Sequence, residues 1–175
     1  MHNLKFLIVI LFVFFSSSSY AMPGSISLCD SEQYTFLSSA TLNGKYISFC
    51  AKTEFEPTEL QYRFGKPGKI EMSYPQGYAK IKKIDDVSDV DDFEKPLQIS
   101  QYQNDEIILM RFPFSGGGGM LLSFRYGNYI YHYYSALIKV DMQTHEEIEY
   151  LDIYKIGKQK AVAHIRTLND GVKIR

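Results

Sequence analysis

Short runs of β-prone residues separated by turn-forming pairs recur along the chain, and this pattern limits the folds that are open to it. Asn43-Gly44 and Gly127-Asn128 each lie between two such runs and tolerate the positive φ angles of tight hairpin turns. Gly157-Lys158 gives a similar signal between residues 148–156 and 160–167. After the first 21 residues, no segment sustains the apolar period of about 3.6 residues that an amphipathic helix requires. The sequence therefore predicts an all-β fold with little helix.

Further strands are expected between these hairpins. Leu97–Gln103 and Glu106–Phe112 are predicted as two strands joined by a tight turn. Ile107–Met110 is apolar on both faces, which predicts a central strand. In residues 121–126 large apolar side chains alternate with Ser123 and a second polar residue, which predicts one buried and one solvated face. About ten short strands at this spacing favour an antiparallel β-sandwich or barrel.

The first residues show the three regions of a secretory signal. Lys5 precedes an apolar run over residues 6–15, which is followed by four serines and then by Tyr20-Ala21. The apolar run is shorter than the roughly 20 residues of a membrane-spanning helix, so a membrane anchor is the weaker alternative. We expect residues 1–21 to be a signal peptide and residues 22–175 to form a single β-rich domain. The protein is therefore predicted to be periplasmic or secreted.

Two cysteines, Cys29 and Cys50, remain after cleavage of the predicted signal. In an oxidising compartment two cysteines allow one intramolecular disulfide. A bridge between them would tie a terminal segment to the strand that follows the Asn43-Gly44 turn. The alternative is that each cysteine is a buried thiol or pairs with a second chain.

The charge balance argues against two classes of partner. The formal net charge is −1, from 19 Lys and Arg against 20 Asp and Glu. This balance gives no electrostatic reason to expect a nucleic acid or an anionic membrane. Both classes of partner are therefore disfavoured.

An acidic stretch over residues 85–94 holds six acids in ten residues, a density that favours an exposed loop or a short helix. Asp85, Asp89 and Asp91 supply oxygen ligands of the kind that calcium prefers. However, Val90 and Pro96 stand where an EF-hand that starts at Asp85 would need glycine and glutamate. No metal site is therefore predicted here.

No segment carries a motif that fixes a reaction. Ser115–Gly119 lacks the Gly-Lys-Ser/Thr ending of a phosphate-binding loop and is predicted to be a β-bulge or a strand-entry loop. His145-Glu146-Glu147 lacks the second histidine of a metalloprotease helix, and no serine lies in a Gly-x-Ser-x-Gly motif. We predict no cofactor and no enzymatic activity, although a Ser/His/Asp triad from distant residues stays open.

The aromatic content is the strongest oddity of composition, with 14 Tyr, 12 Phe and no Trp. Strand alternation places Tyr129, Tyr131 and Tyr133 on one face of a single strand. Such a row either packs in a core or forms a recognition surface, because tyrosine combines apolar area with a hydroxyl group. As a recognition surface, the row would bind a partner together with the acidic residues Asp89 and Asp91.

Two blocks of sequence carry a resemblance. The first holds Ser48-Phe49-Cys50-Ala51 and Leu60-Gln61-Tyr62-Arg63-Phe64-Gly65, and the second runs from the glycines at 116–119 through Ser123–Tyr131 to Tyr134-Ser135-Ala136. Together they resemble an uncharacterised group of small secreted proteins of proteobacteria. The resemblance implies β structure and an envelope location, and it supplies no activity. Members often carry further cysteines near the positions of Ser39 and Arg166, so the pairing of Cys29 and Cys50 stays open.

Small β-rich envelope proteins without catalytic motifs generally act through their surfaces. The leading hypothesis is a periplasmic protein-binding module, of the kind of an immunity protein or an inhibitor of a cell-envelope toxin or wall-degrading enzyme. This hypothesis rests on analogy between folds. The alternative is a module that binds glycan or peptidoglycan, and the third is a hydrolase whose site is not visible in the sequence. The expected partner is thus another periplasmic protein or cell-wall glycan, with neither nucleic acid nor membrane after signal cleavage.

Overall fold

The computed structural model describes residues 26–84, 98–114 and 116–174. The predicted signal peptide and the acidic residues Asp89 and Asp91 lie outside the described residues. The described part is built from ten strands and one short 3-10 helix at Ile99–Gln101, which confirms the all-β prediction. The strands are β1 (Tyr34–Ala40), β2 (Tyr46–Ala51), β3 (Glu59–Lys66), β4 (Lys69–Ile84), β5 (Glu106–Phe114), β6 (Gly117–Tyr126), β7 (Tyr129–Lys139), β8 (His145–Lys155), β9 (Ala163–Arg166) and β10 (Val172–Ile174).

All ten strands belong to one mixed sheet. Strands β1 to β8 follow one another in chain order, and both β9 and β10 pair with the free edge of β8. The predicted antiparallel pairing holds for every pair in the described residues except β4 and β5, which run parallel. The sheet curls into a half-barrel, an architecture within the predicted class of β-sandwich or barrel.

The prediction of a strand at Leu97–Gln103 is wrong. Of Leu97–Gln103, the described residues 98–103 form the short 3-10 helix and irregular backbone around it, not a strand. The parallel pairing of β4 and β5 explains this difference. Two parallel neighbours cannot be joined by a hairpin, and the described residues 98–105 accordingly hold no strand that pairs with β5 through a tight turn.

The concave face of the half-barrel holds the main core. Its buried side chains come from seven strands, β2 to β8, as alternation along each strand requires. Fully buried members are Ile47, Phe49, Leu60, Tyr62, Ala79, Ile107, Leu122, Phe124, Tyr133 and Leu151. The run Ile107–Met110 is buried on both faces, which confirms the prediction of a central strand.

A second apolar cluster lies on the convex face of β5 to β8. It is formed by Ile108, Met110, Phe112, Leu121, Ile130, Tyr134, Ala136 and Tyr154, and Tyr102 packs against it. Ser123 belongs to this face and is fully buried. Its hydroxyl lies 2.9 Å from the hydroxyl of Tyr102, which covers it. The expectation of a solvated face around Ser123 is therefore wrong, since the connection that precedes β5 covers it.

The N-terminal segment, residues 26–33, is fastened to the convex face of β2 and β3. A disulfide joins Cys29 to Cys50, which confirms the predicted bridge. The Arg63 guanidinium donates hydrogen bonds of 2.8 and 2.6 Å to the two carboxylate oxygens of Asp30. This hydrogen-bonded pairing lowers the pKa of the Asp30 carboxyl below its usual value. The disulfide is of the kind that oxidising compartments preserve.

The two edges of the half-barrel meet beside Thr41 and Thr167. Thr41, just after β1, forms an isolated antiparallel bridge with Thr167, just after β9. The Leu42 amide donates to the Arg166 carbonyl at 3.2 Å, and the Leu168 amide donates to the Ala40 carbonyl at 2.8 Å. The curl of the sheet is thus fixed by contacts between residues near the two ends of the chain.

Three of the four glycines of the run 116–119 belong to β6, and Gly116 precedes the strand. Gly117–Gly119 pair in regular register with β5, so the predicted β-bulge or strand-entry loop is wrong for these three residues. A Cβ atom on Gly119 would lie 2.5 Å from Cε2 of Phe112 and 2.9 Å from Cβ of Ala136. Glycine at this position therefore lets the Phe112 ring lie flat against the strand.

Candidate functional site

The predicted row of tyrosines on β7 divides into a buried end and an exposed end. Tyr133 is fully buried, and its hydroxyl donates a hydrogen bond to Oε1 of Glu149. Tyr131 is half-buried, and Tyr129 is 40% exposed. The proposed role of Tyr133 as a partner contact is therefore corrected: it is a core residue because it faces the centre of the half-barrel.

A third tyrosine joins the exposed end of the row. Tyr126, the last residue of β6, pairs in register with Tyr129, and its side chain is 51% exposed. Alternation alone assigns Tyr126 to the core, but it lies at the end of the half-barrel, where the concave face opens to solvent. We call Tyr126, Tyr129 and Tyr131 the rim tyrosines.

Stacked rings support the rim tyrosines from below. The Tyr131 and Phe124 rings are parallel, with centroids 5.0 Å apart, and Phe124 stacks on Tyr74 at 4.6 Å. The Tyr126 ring meets the edge of Tyr74 at 5.7 Å. Burial raises the pKa of Tyr131 above its usual value, and the neighbouring phenols of Tyr126 and Tyr129 add to this effect. Tyr126 and Tyr131 are thus backed by aromatic rings of the core.

Lysines flank the rim tyrosines on the side of β8. Lys155, the last residue of β8, is the register partner of Tyr129. The following loop carries Lys158 and Lys160, and both are exposed. We call these three residues the rim lysines. The sequence contains a signal for this placement. The Gly127-Asn128 turn joins β6 to β7, and the Gly157-Lys158 turn joins β8 to β9. Successive antiparallel strands turn at alternate ends of the sheet, so these two turns lie at the same end.

A buried polar cluster lies at the closed edge of the half-barrel. The Glu149 carboxylate accepts hydrogen bonds from the hydroxyls of Ser39 at 2.6 Å, of Thr167 at 2.8 Å and of Tyr133. Glu149 is 7% exposed, and the three hydroxyl residues are 3% exposed or less. A substrate has no access to these atoms, so the arrangement holds β1 against β8 and β9.

One histidine contacts a carboxylate. Nδ1 of His164 lies 2.6 Å from Oδ1 of Asp152 on the convex face, and the His164 side chain is half exposed. Among the described residues no serine, threonine or cysteine side chain is hydrogen-bonded to this pair. Within the same part of the chain, no group of three or more His, Cys, Asp or Glu side chains is placed to hold a metal ion.

The described part of the chain has no helix that is long and apolar enough to cross a membrane. Comparisons of the chain with protein-family models, with curated proteins and with solved structures found no match. The resemblance drawn from Leu60–Gly65 and from the glycine-rich block therefore stays a prediction. The structure explains part of that pattern: Leu60 and Tyr62 face the concave core, whereas Gln61 and Arg63 bind the N-terminal segment.

Proposed function

We propose that the chain is a protein-binding module of the bacterial cell envelope and that the rim tyrosines are its principal contacts. The more specific form of the proposal is an immunity protein or an inhibitor that blocks an envelope toxin or a wall-degrading enzyme. The observation that carries it is the exposure of Tyr126 and Tyr129 above a buried ring stack. The disulfide between Cys29 and Cys50 suits the oxidising envelope.

Physical reasons favour these tyrosines as an interface. Tyrosine supplies a large contact area with few rotatable bonds, so little entropy is lost when a partner binds. The Tyr126 ring is further restrained by Tyr74 and the Tyr131 ring by Phe124, which lowers the cost of ordering these two rings. Their hydroxyls remain at the surface, where hydrogen bonds to a partner replace those to water. Interfaces draw most of their binding energy from a few such residues.

Affinity capture from a periplasmic extract at low salt tests the proposal. The wild-type protein is expected to retain a specific protein, and a Tyr126→Ala/Tyr129→Ala variant is expected to lose it. Tyr34→Ala is the matched control, because Tyr34 is 47% exposed on β1, a strand that pairs with neither β6 nor β7. If the retained protein is a wall hydrolase, its activity on purified peptidoglycan should fall as the wild-type protein is added. Failure to retain any protein, or equal retention by the rim variant, contradicts the proposal.

A second candidate function is binding of cell-wall glycan. The specific observation in its favour is the exposed pair of aromatic rings on neighbouring strands, because tyrosine faces stack on sugar rings. Co-sedimentation with purified peptidoglycan tests it. Depletion of the wild-type protein, but not of the Tyr126→Ala/Tyr129→Ala variant, would favour glycan over protein, and absence of co-sedimentation would remove this candidate.

A further inference from the structure

The β2–β3 loop, residues 52–58, presents the most exposed aromatic side chain of the described residues. Phe55 is 81% exposed, whereas the next aromatic side chain, Tyr126, is 51% exposed. The other phenylalanines whose side chains are described are buried or half-buried. Water around an exposed phenylalanine ring is released when a partner covers it. The ring therefore offers apolar area for binding that the fold itself does not use.

Both ends of this loop are fixed to the sheet. Ala51 and Leu60 are register partners, so the loop starts and ends on paired strands. Cys50, two residues before the loop, is held by the disulfide. The Ile81 amide of β4 donates a hydrogen bond of 2.8 Å to the carbonyl of Thr58, the last residue of the loop. The loop thus has a rigid base, and loops on rigid scaffolds commonly carry binding residues.

The backbone at the tip of the loop is restrained as well. Glu56 has a φ angle of 45°, in the left-handed region that residues other than glycine seldom adopt. Pro57 follows it, and the proline ring fixes the next φ angle. A glycine at position 56 would adopt this conformation without strain. Glutamate instead places a carboxylate next to Phe55 at a conformational cost, and strained residues of this kind concentrate at binding sites.

Two carboxylates without cationic partners flank the exposed ring. Glu54 and Glu56 are exposed, and no lysine, arginine or histidine nitrogen of the described residues lies within 4.0 Å of either carboxylate. The cations of this region lie at the base of the loop instead: Lys52 is 3.6 Å from Glu59, and Lys80 is the register partner of Glu59. The tip therefore combines one apolar ring with two negative charges.

The chemistry of the tip favours a protein pocket over other classes of partner. Anionic lipid surfaces attract lysine and arginine, so they repel Glu54 and Glu56. A sugar ring can stack on the Phe55 ring but offers no cation to the flanking carboxylates. A protein pocket that is apolar inside and bordered by lysine or arginine complements both the ring and the carboxylates.

We propose that Phe55 inserts into an apolar pocket of the partner protein and that Glu54 and Glu56 bind basic residues at the border of that pocket. This inference rests on the proposed function and adds a second contact to the rim tyrosines. It differs from the sequence expectation, in which acids at Asp89 and Asp91 meet a basic partner, because the β2–β3 loop supplies acids together with an aromatic anchor. Since the loop is fixed at both ends, binding costs little further ordering.

Photocrosslinking from position 55 tests the inference. The photoreactive residue p-benzoylphenylalanine replaces Phe55 in the full chain, and the cells that naturally make the protein are irradiated. One protein is expected to be crosslinked, and mass spectrometry should place the adduct in a concave site with lysine or arginine at its border. The matched control carries the same photoreactive residue in place of Leu42, which is 62% exposed in the β1–β2 turn. It is expected to give no adduct with that protein.

Affinities for the purified partner then separate the ring from the charges. Phe55→Ala should weaken binding by about tenfold or more and keep the wild-type melting temperature, because the ring is exposed. Glu54→Gln/Glu56→Asn should weaken binding by about threefold or more and reduce its dependence on salt. Asparagine tolerates the left-handed conformation at position 56, so the loop is preserved. Glu71→Gln/Glu146→Gln removes two charges on β4 and β8 and should bind as the wild type does.

Several outcomes would overturn the inference. These are absence of an adduct at position 55, equal adduct formation at position 42, and an adduct at a flat site or at one without basic residues. An adduct with a lipid, a glycan or a second copy of this chain would also overturn it and would assign the loop to that class. If Tyr126→Ala/Tyr129→Ala loses the partner while Phe55→Ala binds it unchanged, the inference fails and the proposed function stands. The reverse result would leave the loop as the contact and contradict the role of the rim tyrosines.

Discussion

Oγ of Ser39 and Oε1 of Glu149 lie 2.6 Å apart, although the two residues are separated by 110 positions in the sequence. Ser39 is on β1, at one end of the sheet order, and Glu149 is on β8, beside the other edge. Thr167 donates to the second carboxylate oxygen, next to the bridge that Thr167 forms with Thr41. One buried carboxylate therefore connects the two edges that must meet for the sheet to curl.

Replacing Glu149 by glutamine should destabilise the fold. The amide keeps one acceptor oxygen but substitutes donors for the other, so at least one buried hydroxyl loses its acceptor. The expected loss in the free energy of unfolding is about 1–3 kcal/mol, which urea denaturation measures. Glu54→Gln, at an exposed position in the β2–β3 loop, is the control and should leave stability unchanged. Equal stability of the two variants would contradict the role assigned to Glu149.

Removing the disulfide should loosen the N-terminal segment and lower stability. A Cys29→Ser/Cys50→Ser variant loses a cross-link between residues that are 21 positions apart. Loop-closure entropy then predicts a loss of roughly 3 kcal/mol in denaturant unfolding. A thiol titration of the denatured, unreduced wild-type protein provides the control and should find no free thiol. Two free thiols per chain would show that the bridge does not form.

Alanine should be tolerated at one glycine of β6 and not at its neighbour. A Cβ on Gly119 would overlap the Phe112 ring, whereas a Cβ on Gly118 would have no atom nearer than 3.6 Å. Gly119→Ala should therefore lower stability by about 1–3 kcal/mol, as overpacking does. Gly118→Ala should lie within about 0.5 kcal/mol of the wild type. Thermal melts of the two variants, side by side, test the close packing of Phe112.

Alkaline pH should unfold the protein through its buried tyrosines. Desolvation raises the pKa of Tyr62 and Tyr133 far above the 10.0 of an exposed tyrosine. Because these pKa values are raised in the folded state, the stability they contribute is complete below pH 10 and is lost as the pH rises toward the folded values. Phenolate absorbance should show an early step for exposed tyrosines and a later one that coincides with loss of β-sheet circular dichroism. A single step near pH 10 with the fold intact would contradict the burial of these rings.

The hairpins were accessible from the sequence because their turns are local. Asn43-Gly44 and Gly127-Asn128 are found in turns, with positive φ at Gly44 and Gly127. The parallel pairing of β4 with β5 was not accessible, since no local pattern distinguishes a parallel from an antiparallel neighbour. For the same reason Leu97–Gln103, which is β-prone, was predicted as a strand.

The candidate site was only partly accessible for a related reason. Period-two alternation correctly placed Tyr129, Tyr131 and Tyr133 on one face, but it gives no position along the barrel axis. That position decides whether a tyrosine is buried, as Tyr133 is, or exposed at the rim, as Tyr126 is. The two turn signals indicate that the lysine-bearing loop lies at the same end of the sheet as the β6–β7 turn, but the pairing of Lys155 with Tyr129 follows only from the register of β7 with β8.

The most direct test of the account is the affinity of a captured partner for rim variants that are shown to be folded. Isothermal titration should give a dissociation constant at least about 30-fold weaker for Tyr126→Ala/Tyr129→Ala than for the wild type, which corresponds to about 2 kcal/mol. Tyr34→Ala should bind within about twofold of the wild type, and all three proteins should have similar melting temperatures. An unchanged dissociation constant for the folded rim variant would contradict the claim that this protein binds through its rim tyrosines.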